Sequence, residues 1–439
     1  MSKRYLLTTV IWSLLCIPAV YSQDKNIKTL TLDEIFRLAE ESSQQLKLSG
    51  SGIEAAYHAT QAAKNARLPS IDVSLSISYL GDGKITDRDF SNSTRAAMPH
   101  FGNNFSIEAS QIVFAGGSIT NMISKSELQE QIAYLNHKKT LLDIRFLLTG
   151  YYLDLYKLIN QREVYLQNIE QTDLLIKQIK AKQKEGMALS NDVTRHELQL
   201  KNLELAIIEI DNSCDILNHH MVITLGLPYE TKIMPDTRLL DMDLSATTPH
   251  GLLEEAENNL PELKTAGLNR KIAEKDMKIA KADYLPSVAL VAANQLNGPI
   301  TIEVPAIDKN FNYWYVGIGL KYNLASLFKS GKTVRLAKKQ HQIAEETKTV
   351  LTEQTETNIH STVTTYKESF EKLSTYEKSL ELANENYYII NNRYINDLVL
   401  ITEMLDASNT KLNAELQVVN AKINIIYNYY KLQRVIGKL

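Results

Sequence analysis

Ile71-Asp72-Val73-Ser74-Leu75-Ser76-Ile77-Ser78-Tyr79 alternates apolar and polar residues without a break. Successive side chains of a strand point to opposite faces, so this stretch predicts a strand with one apolar face and one serine-rich face. Leu68-Pro69-Ser70 stands directly before it. The residue before a proline is pushed out of the helical region, so a helix beginning near Leu32 stops at about Arg67. A polar loop, Gly81 to Asn103, follows the strand. Alternation then resumes, with Phe105, Ile107 and Ala109 set between Ser106, Glu108 and Ser110, and Gly116-Gly117 lets the chain turn out.

The same order returns further along. Leu285-Pro286-Ser287 repeats Leu68-Pro69-Ser70, and at the same offset Ala39 matches Ala256, Leu46 matches Leu263, Lys47 matches Lys264 and Gly50 matches Gly267. Val288, Leu290 and Ala292 open a less regular strand, and Trp314, Val316, Ile318, Leu320 and Tyr322 alternate with Tyr315, Gly317, Gly319, Lys321 and Asn323. Gly226 and Gly437 end the two halves. An internal repeat of this length is read before any single motif. The reading is a first structural repeat over 23–227 (helix, β-hairpin, long helical hairpin), a linker over 228–249 carrying Pro228, Pro235 and Pro249, and a second structural repeat over 250–439.

Long helices fill the remainder. Ser118 to Lys184 contains no proline and only Gly150 interrupts it, and Lys332 to about Tyr394 lacks both Pro and Gly. A helix of about 65 residues is about 100 Å long, which argues for a coiled coil or helical array. Steps of three and four from Val193 meet His196, Leu200, Leu203, Ile207, Ile210, Cys214, Leu217 and Met221, all apolar except His196.

The chain has 439 residues, 44% hydrophobic and 23% charged, with 2 cysteines and a formal net charge of −3. That excludes a disordered chain and a dominant nucleic-acid footprint. Lys3 and Arg4, the apolar run to Val20, and Val20-Tyr21-Ser22 read as a signal peptide over 1–22. Its removal takes the net charge from −3 to −5 and leaves Cys214 as the lone cysteine, so no internal disulfide is expected. An uncleaved anchor and a lipidated Cys16 are the competing readings; Leu15 before Cys16 is a poor lipobox residue. No other stretch is apolar enough for a spanning helix, so entry into a membrane would have to be as a β-barrel. Four strands of about ten residues fit such a wall but cannot close it alone, because known single-chain barrels begin at about eight strands. The expectation is a mainly α chain with membrane β and an oligomer.

These features together resemble the TolC family of outer-membrane efflux channels. The resemblance rests on the two halves, the Leu-Pro-Ser junctions, and the strand-to-helix junctions Phe114-Ala115-Gly116-Gly117 and Leu327-Phe328-Lys329-Ser330-Gly331. It rests also on two helical turns, Glu185 to Val193 and Asn396 to Leu405, and covers about Leu30 to Gly437. It implies a homotrimer whose protomers each give four strands to a shared 12-stranded outer-membrane β-barrel, continued by a periplasmic α-barrel of long helical hairpins. It implies a passive conduit in outer-membrane lipid, no enzyme and no cofactor. The implied partners are a periplasmic adaptor (membrane fusion protein) and an inner-membrane transporter of RND, ABC or MFS type. The competing class is a periplasmic adaptor or structural coiled-coil protein without a pore.

The resemblance also assigns residues. The adaptor-docking tip falls on Gly186, Leu189 and Ser190 in the first turn and Asp397, Leu400 and Ile401 in the second; Asp397 stands where the family usually has glycine. The periplasmic gate falls on Glu403 and Asp406, which in a trimer become rings that attract cations. Tyr394 and Asp192 match positions that tie neighbouring helices shut, while Val399 replaces the usual arginine partner. Other motifs carry less. Ser330-Gly331-Lys332-Thr333 lacks the nucleotide fold a P-loop needs, and His219-His220 point apart on a helix, so no metal site is expected.

Overall fold

A computed structural model describes residues 27–236, 238, 244, 251–396 and 398–439; the signal-peptide reading over 1–22 and Asp397 lie outside the described residues. In chain order the elements are β1 (Ile27–Leu30), α1 (Leu32–Ser42), α2 (Gln44–Lys64), β2 (Ser70–Tyr79), β3 (Gly83–Ile85), β4 (Thr94–Ala96), β5 (Phe101–Ala115), α3 (Ser118–Lys184), α4 (Ser190–Leu225), β6 (Lys232–Pro235), α5 (Leu252–Asn259), α6 (Pro261–Ala282), β7 (Ser287–Gly298), β8 (Phe311–Lys321), α7 (Ser326–Ile395) and α8 (Ile401–Val435). They fall into two compact units. One takes the chain up to Ser43, Leu147–Leu244 and Lys372–Tyr427; the other takes Gln44–Phe146, Ser245–Glu371 and Asn428–Leu439.

The second unit holds the four-stranded antiparallel sheet, ordered β2-β5-β7-β8. Val73 faces Ile107, Leu75 faces Phe105 and Ile71 faces Ala109, so the alternation of each strand adds up to one apolar face. Ile71, Val73, Leu75 and Ile77 on β2 and Trp314, Val316, Ile318 and Leu320 on β8 are all exposed, each about two-thirds or more. On the other face Ser74 and Ser106 hydroxyls bond at 2.9 Å and Asp72 lies opposite Glu108. β5 joins β7 directly, so strands from the two ends of the chain share one sheet, with a bulge between Ile112 and Phe114. Among the described residues β2 and β8 each keep one edge unpaired.

Three findings depart from the sequence expectations. The helix from Leu32 breaks at Ser43, whose extended backbone (φ −60, ψ 121) closes α1, and it ends in a 3-10 turn, Asn65–Arg67. The loop after β2 carries its own small hairpin, β3 with β4, and β5 starts at Phe101 rather than Phe105. The linker contains β6, which pairs in parallel with β1.

That β1–β6 ribbon lies in the first unit and is pinned by one side chain. Tyr152 of α3 is 1% exposed; its hydroxyl donates to the Leu30 carbonyl at 2.9 Å and accepts from the Asp236 amide at 2.7 Å. Burial pushes the phenol up to about 12, so it keeps its proton at neutral pH. Asn218 holds the other side, donating to the Thr231 carbonyl at 2.9 Å and accepting from the Ile233 amide at 2.8 Å.

The apolar seam of α4 is packed as its spacing predicts: Val193, Leu203, Ile210 and Met221 are buried, and so is His196. His219 and His220 diverge, one meeting Tyr229 and the other stacking on Tyr151. Ser330-Gly331-Lys332-Thr333 lies inside α7, so no phosphate-cradling loop exists there. In the second unit Arg434 donates to Asp143 at 2.6 Å and to Glu262 at 2.7 Å, tying α8 to α3 and α6.

Candidate functional site

The turn between α3 and α4 is built by glycine at one position. Gly186 has φ 78, the left-handed conformation that an L side chain resists. Its amide donates to the Gln183 carbonyl at 3.0 Å, and the Met187 amide donates to the Lys182 carbonyl at 2.9 Å. This pair of bonds is the Schellman motif, which satisfies carbonyls that the helix end leaves open. α4 then begins without a hydroxyl cap. Its third residue, Asp192, supplies one from inside: its Oδ2 accepts from the Leu189 amide at 3.1 Å.

The turn between α7 and α8 is closed in the same way. The Leu398 amide donates to the Arg393 carbonyl at 2.9 Å, across the same six-residue span as Met187 to Lys182. Lys182 links the two turns, its Nζ donating to the Ile395 carbonyl at 2.5 Å, where a cation suits the negative end of α7. The ends of α4 and α8 repeat the correspondence at Gly226 and Gly437, which have φ 63 and 77.

Beneath the turns the four helices close on a small core. Leu175 and Ile179 of α3, Val193 of α4 and Met404 of α8 are buried together, with Ala188, Tyr387, Ile390 and Tyr394 packed against them. The helices are cross-linked further along by Gln199 to Asn409 at 2.9 Å, Asn168 to Glu415 at 3.0 Å and Lys180 to Glu197 at 2.7 Å.

The structure therefore brings Gly186, Leu189, Ser190 and Asp192 into one turn, sets Leu400 and Ile401 at the start of α8, and packs Tyr394 on the core between them. Leu189, Leu400, Leu398 and Met187 are exposed. Glu403 and Asp406 sit one turn apart on the exposed face of α8, away from the core that holds Tyr394. Val399 is half-buried. Sequence reasoning passed over three members of this site. Met404 is fully buried at its centre, Lys182 spans the turns, and His196 lies 6.2 Å from the Tyr394 ring, centroid to centroid. The one polar residue in an otherwise apolar seam was the signal available for His196.

Burial pushes the His196 imidazole below its ordinary value, with Asp192 pulling the other way. It also raises the phenol of Tyr387 and the thiol of Cys214, so neither is a nucleophile in waiting. Among the described residues no group of three or more His, Cys, Asp and Glu is placed to hold a metal ion, and no helix is long and apolar enough to cross a membrane.

A four-stranded sheet with one exposed apolar face has the pattern that a membrane β-barrel wall requires. Residues 252–438 match the outer membrane efflux protein family. The outer membrane protein TolC of Salmonella enteritidis is 21% identical over 458 residues, spanning 100% of this chain and 87% of TolC. The outer-membrane channel OprN shares the fold with a TM-score of 0.77 at 16% identity, over 93% of this chain and 90% of OprN. VceC of Vibrio cholerae does so with a TM-score of 0.77 at 15% identity, over 92% of this chain and 96% of VceC. The chain is thus similar in its second half to the outer membrane efflux protein family, and over nearly its whole length it shares the fold of solved outer-membrane channels.

Proposed function

We propose that three copies of this chain assemble into one passive conduit that receives substrates from an inner-membrane transporter through a periplasmic adaptor. The observation that carries the trimer is the sheet: four strands, two unpaired edges and a bare apolar face. Unpaired backbone groups in lipid cost several kcal/mol each, so the edges of β2 and β8 must meet other strands. Three copies give the 12 strands that the resemblance implies. The helices support the same reading. Leu198, Leu205, Ile216 and Ile223 form an exposed stripe on α4 opposite its buried seam, and Leu336, Ile343 and Val350 form another on α7 at spacings of seven. Heptad stripes of this kind are covered by helices.

Within that assembly the exposed Leu189 and Leu400, with Gly186, Ser190, Asp397 and Ile401, form the adaptor-docking tip. Glu403 and Asp406 form carboxylate rings, and Tyr394 and Asp192 hold the helices closed. The chain is also read as a duplicated unit, 23–227 and 250–439 about a linker, and the four matched helix ends support this. The deciding experiment is the native mass of the mature protein in mild detergent. Three chains are expected; a monomer or dimer would overturn the conduit and favour a structural coiled-coil protein. Leu189→Glu should abolish adaptor pull-down while leaving the mass unchanged. Glu403→Gln with Asp406→Asn should weaken divalent-cation block of single-channel current, and unchanged block would remove the rings from the gate.

A further inference from the structure

The buried side of the tip holds a titratable group that docking and gating leave idle. His196 is 2% exposed, and its Nε2 is enclosed without a hydrogen-bond partner among the described residues. Buried polar atoms are nearly always paired, so an orphan on an otherwise apolar seam marks a group kept for another reason. The ring faces Tyr394 of α7 with the two planes tilted by 58°. On its own helix the charged neighbour is Asp192, one turn earlier, whose carboxylate caps the Leu189 amide. The core on which Tyr394 packs is apolar, with Leu175 and Ile179 from α3 and Met404 from α8. Lys180 and Glu197 pair with each other about half exposed, and Glu403 and Asp406 stand on the exposed face of α8.

We propose that His196 is a proton-operated latch on the tip: neutral, it lets α4 pack against Tyr394; protonated, it loosens that contact and opens the channel. The proposal rests on the conduit reading. A neutral imidazole can be enclosed among Tyr394 and the core. An imidazolium carries donors on both nitrogens and a charge, so it must find an acceptor or water. The acceptor within reach on the same helix face is Asp192, four residues away, and recruiting it takes the cap from Leu189 in the docking turn. The sign follows from burial. The enclosed ring titrates below the ordinary 6.5, whereas a ring exposed by opening titrates near it. As pH falls below about 6.5 the open form takes up the proton first, so acid favours opening.

The test is the conductance of the full-length protein in planar bilayers between pH 7.5 and 5. Wild type should gain in open probability as the pH falls through that range. His196→Phe and His196→Gln, which cannot be protonated there, should show the same open probability at both ends. Glu403→Gln with Asp406→Asn should keep the acid step while losing divalent block. An acid step that survives in both His196 variants, or vanishes only with the carboxylates, would overturn the latch, as would a flat wild-type response. Channel currents without the step refute the latch alone. No current at any pH together with a non-trimeric mass refutes the conduit and the latch with it.

Discussion

Replacing Gly186 by alanine isolates the cost of left-handed backbone at the first turn. The residue has φ +78, and a Cβ built on it meets nothing within 4 Å. No clash contributes, so the penalty is the backbone term alone, about 1–2 kcal/mol for an L-residue. That cost falls on two bonds, Gly186 to Gln183 at 3.0 Å and Met187 to Lys182 at 2.9 Å. Local opening of the turn should rise by about 5- to 30-fold. Gly437 supplies the contrast. It has nearly the same φ, +77, but its Cβ would stand 2.8 Å from backbone atoms of Asn259 and Leu260. Gly437→Ala therefore adds a steric term and should cost more than Gly186→Ala. Asparagine adopts the left-handed region more readily than alanine, so Gly186→Asn should lie between wild type and Gly186→Ala. The assay is hydrogen exchange of the peptide holding the Met187 amide in the detergent-solubilised protein. Exchange in Gly186→Ala as slow as in wild type would refute the left-handed turn. A loss larger than that of Gly437→Ala in its own turn would refute the claim of open space around Gly186.

Met404→Ala should cost about 2–5 kcal/mol, because a fully buried side chain leaves a cavity among Leu175, Ile179 and Val193; faster exchange confined to the four helix ends is the readout, and an unchanged profile would count against the core. Tyr152→Phe strands the Leu30 carbonyl and the Asp236 amide, at about 1–3 kcal/mol each, and should expose the β1–β6 ribbon to proteolysis without altering channel current. Glu34 is held below its ordinary value of 4.5 by its bond to the Thr31 amide, so its stabilising effect is present above that pH and lost as pH falls through the lower folded value. Glu34→Gln should therefore flatten the acid limb of thermal stability, and an identical acid slope would remove this cap from the account.

The parts of this fold that were legible in sequence share one property: their signal repeats. β2 shows nine residues of strict alternation because one face meets solvent or lipid and the other a polar space. α3 and α7 show as long stretches almost free of helix breakers, and the α4 seam as a run of threes and fours. β7 was harder, since its neighbours Ala289, Val291 and Ala293 put small apolar residues on the face that is serine-rich in β2. What went unread is short or distant. Ile27–Leu30 and Lys232–Pro235 are four residues each, too short for a period, and they pair across about two hundred residues. β3 and β4 are three residues each. The break at Ser43 carries neither proline nor glycine, so local chemistry did not announce it.

The site was legible where turn chemistry made it so and illegible where burial did. Gly186 and the leucines that follow are visible as a turn, whereas Met404 and His196 matter through enclosure by four helices that only the tertiary structure brings together. The exposed residues divide by spacing into two kinds of unfinished surface. On α4 the apolar stripe recurs at steps of 7, 11 and 7, which keeps Leu198, Leu205, Ile216 and Ile223 on one helix face and suits another long helix laid alongside. At the turns, Met187 with Leu189 and Leu398 with Leu400 stand two apart, a spacing that follows no helix face. Such residues offer a partner the ends of the helices rather than their sides. One set therefore suits packing against another long helix, and the other suits contact from beyond the helix ends.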